Sequence, residues 1–121
     1  MAPQLTLTVH PNRRPVVLTV GGEVDLATAP QLRAKLVALV EDGAGSVVVD
    51  LTPVAFMDST GLQALLAGRK RAHARGRSIR LVCPEGQVLR VLRLTGVATV
   101  FPVYDSLAEA VDAQTADADA G

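Results

Sequence analysis

Between residues 16 and 112, short runs rich in β-branched residues alternate with longer stretches of helical spacing. This alternation leaves the chain few architectures. Strands separated by helices cannot be joined by tight hairpins, so they pair in parallel through right-handed crossovers. Residues 16–20, 46–51, 78–83 and 100–103 read as strands. Residues 5–10, L-T-L-T-V-H, alternate with a strict period of two and read as a strand with one covered face. The turn from His10 to Pro15 joins that strand to the next as a hairpin, so the first strand is the antiparallel exception at an edge. Gly21-Gly22 ends the second strand, and residues 52–57 read as a connection.

The helices carry their own start and stop signals. Thr28-Ala-Pro-Gln31 fits a capping box with Thr28 as N-cap and Pro30 in the first turn. Leu32, Leu36, Leu39 and Val40 form its buried face, and Gly43 and Gly45 stop it. A second helix begins at Asp58-Ser59 and runs to about Arg75, with Leu62, Leu65, Leu66 and Ala72 inward. Cations fill its last turns, where the helix dipole favours them, and Gly76 closes it. Pro84 opens a third helix with Val88, Leu89, Leu92 and Leu94, closed by Gly96. Asp105-Ser106 opens a fourth, where Ser106 and Glu109 make another capping box. The order is ββαβαβαβα: an α/β fold with a mixed, mostly parallel sheet of about five strands and about four helices. One domain is expected over residues 1–112, with a disordered tail at 113–121 made of Ala, Asp, Gln, Thr and Gly.

Composition narrows the function. Hydrophobic residues make up 49% of the chain but aromatic ones only 2%, so the core is Val, Leu and Ala. A reader that stacks nucleobases needs more rings than this. The 12 basic and 12 acidic residues cancel, which argues against steering onto nucleic acid. Arg69, Lys70, Arg71, His73, Arg75, Arg77 and Arg80 cluster, and a solvated helix end is the simplest account of them. The one cysteine, Cys83, excludes an internal disulfide and reads as a small buried hydrophobe. No apolar run approaches the ~20 residues that span a bilayer. The alternating residues 1–10 do not look like a signal peptide, and a cytoplasmic protein with no membrane contact is expected.

The informative segment is residues 47–62, V-V-V-D-L-T-P-V-A-F-M-D-S-T-G-L. A buried strand delivers the chain to a loop that presents Asp58, Ser59, Thr60 and Gly61 at a helix start. Free backbone N–H groups and positive potential gather there. Ser59 has two readings, as a helix cap or as the acceptor of a phosphate. It does not read as a catalytic nucleophile, which needs a nearby base. His73 lies 14 residues along the same helix, roughly 21 Å away, and His10 sits in the hairpin turn. Asp25, Asp50 and Asp58 are too scattered to argue for a metal, and no phosphate-binding loop is present. No enzyme activity and no cofactor are expected.

Phe56-Met-Asp-Ser-Thr-Gly-Leu62 resembles the signature of the anti-sigma factor antagonists, the bacterial STAS-domain proteins. Gly22-Glu-Val-Asp25 resembles the family's element after the second strand. Residues 47–51 followed by Phe56, and Leu94-Thr-Gly96 ahead of Val100-Phe101, extend the match over the chain except its tail. The resemblance implies a partner-switching cycle. The unmodified protein binds a kinase-type anti-sigma factor and so frees a sigma factor. That serine kinase phosphorylates the antagonist from ATP on the serine after the motif aspartate, here Ser59, and a PP2C-type phosphatase removes the phosphate. Thr60 is a secondary acceptor or a structural hydroxyl. Asp58 flanks the acceptor, and Gly61 admits the partner's backbone. Asp25 is either part of this partner-binding surface or a turn residue ahead of Thr28. The same fold also serves as a stand-alone STAS subunit of a lipid transporter or of a non-sigma signalling complex.

Overall fold

Leu5–His10 (β1) and Val16–Val24 (β2) form the hairpin that the sequence pattern predicts, with Leu7 opposite Val20 and Thr8 opposite Thr19. The computed structural model describes residues 4–113. Val47–Asp50 (β3), Val54–Met57 (β4), Ile79–Val82 (β5) and Val103–Tyr104 (β6) complete one sheet of six strands. Its order is β1-β2-β3-β5-β6, with β4 also paired to β2. Every pairing except β1 with β2 is parallel, as crossover helices require. The helices are Ala29–Glu41 (α1), Ser59–Ala74 (α2), Gln87–Leu94 (α3) and Leu107–Asp112 (α4).

The strand count exceeds the expected five because β4 lies within the segment read as a connection. Its burial runs buried, exposed, exposed, buried, so it lacks the alternation that marks a strand in sequence. A tight turn makes it: Val54 N–H donates to Leu51 O at 2.9 Å, and the Asp50 carboxylate accepts from Thr52 N–H at 3.0 Å. Likewise Gly21-Gly22 does not end β2, which continues to Val24. The glycines let two backbones close on the strand. A Cβ on Gly21 would lie 2.6 Å from Thr6 Oγ1, and Gly22, at φ +91°, has the Gln4 carbonyl carbon within 2.9 Å of where its Cβ would be. The register with β4 shifts between Gly22 and Glu23, which marks a bulge rather than a strand end. The nine-residue β2 thus serves β3 with its first half and β4 with its second.

The two faces of the sheet are covered unequally. Leu18, Val20, Val47, Val49, Ile79 and Leu81 face the larger core, which they form with Leu32, Leu36 and Val40 of α1, Leu62 and Leu65 of α2, and Val88, Leu89 and Leu92 of α3. Residues one position along, Val17, Val48 and Val82, face the other way onto Ala110 of α4, as the period of two demands. Arg80 is buried on that face and donates from Nη1 to Ala110 O at 2.7 Å. The helices α1 and α2 meet closely at Gly68, where a Cβ would come within 2.6 Å of Leu36 Cγ.

Several helix details differ from expectation. The Thr28 side chain does not close a capping box. Its hydroxyl donates to Glu23 O at 2.8 Å and accepts from Asp25 N–H at 3.0 Å, turning back toward β2. Ser106 does cap α4, accepting from Glu109 N–H at 3.2 Å. The third helix begins at Gln87 rather than at Pro84. Leu94 is 81% exposed, because it is two residues past Leu92 and so about 200° around the helix from it. Leu66, at the margin of the α2 stripe, is 38% exposed. The last strand comes later than expected, after a single 3-10 turn at Val97–Thr99. Cys83 is buried as expected, and burial pushes its thiol up to about 11. The expected tail begins at Ala113, which ends α4, and its residues 114–121 lie outside the described residues.

Candidate functional site

The carboxyl ends of β2 and β4 lie side by side, with Val24 paired to Met57. The ladder continues one bond further, as Asp58 N–H donates to Val24 O at 3.1 Å. Asp25 and Asp58 therefore leave the sheet from neighbouring strands, and the loops that follow them open α1 and α2.

Asp58, and not Ser59, is the N-cap of α2. Its carboxylate accepts from Thr60 N–H at 2.9 Å and from the Thr60 hydroxyl. The helix-cap reading of Ser59 therefore passes to Asp58. Ser59 is the first residue of the helix and is exposed, and its hydroxyl makes no hydrogen bond within the described residues. Thr60 is only half-buried, but its hydroxyl is committed to Asp58. Gly61 is buried, and the close approach its missing Cβ permits is internal: Met57 Cγ and Val24 Cγ1 would lie 2.6 and 2.8 Å from a Cβ there. The first turn of α2 is thereby pressed against the two strands that lead to the site.

Asp25 acts as a turn residue. Its Oδ1 accepts from Ala27 N–H at 3.0 Å and Thr28 N–H at 3.2 Å, which fixes the loop beside the one carrying Ser59. Asp50 is similarly engaged with Thr52, by N–H and hydroxyl. Each of the three aspartates closes its own turn, and among the described residues no group of three or more His, Cys, Asp or Glu is placed to hold a metal ion. Neither histidine approaches Ser59. His73 is in the last turn of α2. His10 belongs to β1, not to the turn, where it pairs with Val17 near the start of β2 and hydrogen-bonds Thr19 Oγ1 at 3.1 Å. Ser59 stands beyond the opposite end of that strand.

The hydrogen bond from the Thr60 hydroxyl holds the Asp58 carboxyl below the usual aspartate value of 3.8, helped by backbone N–H groups and opposed by desolvation. A depressed folded value means that the ionised form favours the fold. The contribution is therefore complete above about pH 4 and lost as pH falls through the lower folded value. Asp58→Ala is expected to lower stability at pH 7 by about 1 kcal/mol, the usual cost of losing a cap. In urea titrations, the gap to the parent protein should narrow below pH ~4, as the parent's carboxylate takes up its proton. A gap independent of pH down to the acid limit would contradict the assignment of the cap.

One residue near the site escapes any reading of the sequence. Gln87, at the start of α3, accepts from Met57 N–H through Oε1 at 3.2 Å and donates to Met57 O through Nε2 at 3.3 Å. Its partner lies 30 positions earlier in the chain, so no local pattern announces the contact.

The fold and this geometry define a class: a single α/β domain in which paired parallel strands place an unengaged serine at a capped helix start. Residues 4–110 match the family model for the STAS domain, and the chain belongs to the STAS domain family, where its relatives are anti-sigma factor antagonists. The anti-sigma-B factor antagonist of Bacillus subtilis (strain 168) is 31% identical over 99 residues, which cover 82% of this chain and 90% of that protein. The anti-sigma-F factor antagonist RsfB of Mycobacterium tuberculosis is 33% identical over 109 residues, covering 88% of this chain and 87% of RsfB. The crystal structure of an anti-sigma factor antagonist from Mycobacterium paratuberculosis superposes with a TM-score of 0.84 at 32% identity, covering 93% of this chain and 96% of that one. The resemblance carried by the sequence motifs is thus borne out for family and fold. Among the described residues, no helix is long and apolar enough to cross a membrane.

Proposed function

We propose that this protein is itself an anti-sigma factor antagonist, switched by phosphorylation of Ser59. Unmodified, it binds a kinase-type anti-sigma factor and so releases a sigma factor. The kinase transfers a phosphate from ATP: Ser59 Oγ attacks the γ-phosphorus, the bond to the β-phosphate oxygen breaks, ADP leaves, and the hydroxyl proton passes to a base of the kinase. A PP2C-type phosphatase hydrolyses the ester and restores the binding form. The partner-binding region comprises Asp25, Asp58, Ser59, Thr60 and Gly61: Ser59 is its exposed member, and the two aspartates and the buried Gly61 hold the loops in shape.

The observation that carries this reading is the exposed Ser59 hydroxyl, without a hydrogen bond among the described residues, beside a cap that does not need it. A phosphate there adds roughly −1.5 to −2 charges at pH 7. The helix N-terminus favours such charge by roughly 0.3–1 kcal/mol, so the fold is expected to survive modification while a covering partner does not tolerate it. Thr60, engaged with Asp58, is a structural hydroxyl in this reading.

A pull-down from the source cells with the unmodified protein as bait, compared with Ser59→Asp bait, supplies the partner. An ATP-dependent kinase retained by the first bait and lost by the second is expected. Recovery of a membrane transporter instead would favour the role of a transporter subunit. Incubated with that kinase and ATP, the parent protein should gain one phosphate by intact-mass measurement and Ser59→Ala none. Full modification of Ser59→Ala would sink the assignment, and phosphate on its Thr60 would move the acceptor one residue along.

A further inference from the structure

Strand β4 ends at Met57, two residues before Ser59, and its two sides are satisfied differently. In a parallel ladder, the N–H and C=O of one residue point to the same side, and those of the next residue to the other. Asp58 N–H faces β2, where it meets Val24 O. Met57 therefore turns both of its backbone groups away from β2, toward the side where, among the described residues, β4 has no strand. The Met57 side chain is fully buried, and buried backbone groups need partners. The primary amide of Gln87 supplies both, as acceptor and as donor, in the manner of a peptide unit of a further strand. Gln87 opens α3, which also packs Val88, Leu89 and Leu92 into the main core, so the amide is presented from an anchored element.

We propose that Gln87 is the positioning residue of the acceptor loop: by pairing with both backbone groups of Met57 it fixes the turn that presents Ser59 to the kinase. The functional half of this statement rests on the phosphorylation proposed above, whereas the latch itself does not. At neutral pH the substitutions used to test it cannot reproduce the pair. Leucine fills the space without donor or acceptor. A glutamate keeps the acceptor for Met57 N–H but, when ionised, turns a second acceptor toward Met57 O. When protonated, it donates again and restores the pair.

The test compares the parent protein with Gln87→Leu and Gln87→Glu by amide hydrogen exchange. In Gln87→Leu, exchange at Met57 and Asp58 is expected to rise at least tenfold, while amides of the central strands, such as Val49 and Leu81, keep their protection. In Gln87→Glu, the same local rise is expected at pH 7. Its ratio to the parent protein should fall back toward one as pH drops through the glutamate range, about 4.3 or somewhat above. With the kinase recovered by the unmodified bait and labelled ATP, both variants are expected to lose at least tenfold in kcat/KM at pH 7. Unchanged exchange at Met57, loss of protection spread evenly over the central strands, or no recovery of the Glu variant at low pH would each overturn the latch. Altered exchange with unchanged kcat/KM would overturn the positioning role. If the parent protein itself takes no phosphate, the proposed function fails and the exchange results still decide the latch.

Discussion

Ser59→Asp is expected, under the proposed function, to weaken the complex with the anti-sigma factor at least tenfold, while moving the thermal midpoint by less than about 4 °C, the shift that roughly 1 kcal/mol produces in a domain near this size. The two halves of this expectation have separate causes. Among the described residues the substitution breaks nothing, because the Ser59 hydroxyl makes no hydrogen bond there and Asp58 caps the helix. A carboxylate in the first turn also interacts favourably with the helix dipole. In the proposed complex, the same carboxylate would have to give up water where the partner covers Ser59. A loss of about 1.4 kcal/mol already means a factor of ten in affinity. Isothermal titration against the purified partner, alongside circular dichroism melts, measures both halves. Affinity within twofold of the parent protein would remove Ser59 from the interface. A collapsed melting curve would make it a structural residue and undo the switch.

Gly61→Val should have the largest effect on stability of any change in the loop. An ideal Cβ at this position falls 2.6 Å from Met57 Cγ and 2.8 Å from Val24 Cγ1, and both neighbours belong to strands held in the sheet. Overpacking of this kind costs about 1–3 kcal/mol. Gly61→Ala recovers part of that, since replacing glycine in a helix is worth up to about 1 kcal/mol. Gly61→Val recovers less and adds two more carbons to the same contact, so the order of stability in urea should be Gly, Ala, Val. The clash pushes the first turn of α2 away from β2 and β4, so partner affinity should fall in the same order. An alanine variant as stable as the parent protein would mean that α2 can shift freely, and that the acceptor is not held as described.

The alternation of strand and helix patterns made the parallel sheet, the edge hairpin and all four helices legible in the sequence. What stayed hidden had no local signature. Strand β4 lacks alternation because Ala55 and Phe56 are both exposed, so its strand character comes only from pairing with β2. Gly21-Gly22 looked like punctuation because glycine serves turns and bulges equally, and only the neighbouring Gln4 and Pro53 decide between them. The Asp58-Ser59-Thr60-Gly61 loop was visible at the helix start, but the division of labour within it was not. Aspartate and serine are both good caps, and the choice fell to Asp58 because Met57 and Asp58 finish the ladder beside Val24. Gln87 was out of reach altogether, since a side chain that completes a sheet edge leaves no trace in its own surroundings.

Ser59 is located from within the sheet: by the ladder bond of Asp58 to Val24, the pairing of β4 with β2, a buried glycine and the Gln87 amide on Met57. None of these uses the exposed side chains that surround the loop, among them Glu23, Leu26 and Phe56. Address and identity are therefore written in different parts of the molecule. Under the proposed function, a lineage can rewrite the outer side chains to recognise a different kinase without moving the Ser59 hydroxyl. Duplicated copies of such a domain can be wired to separate circuits in one cell by surface substitutions alone, each circuit keeping the same means of being switched.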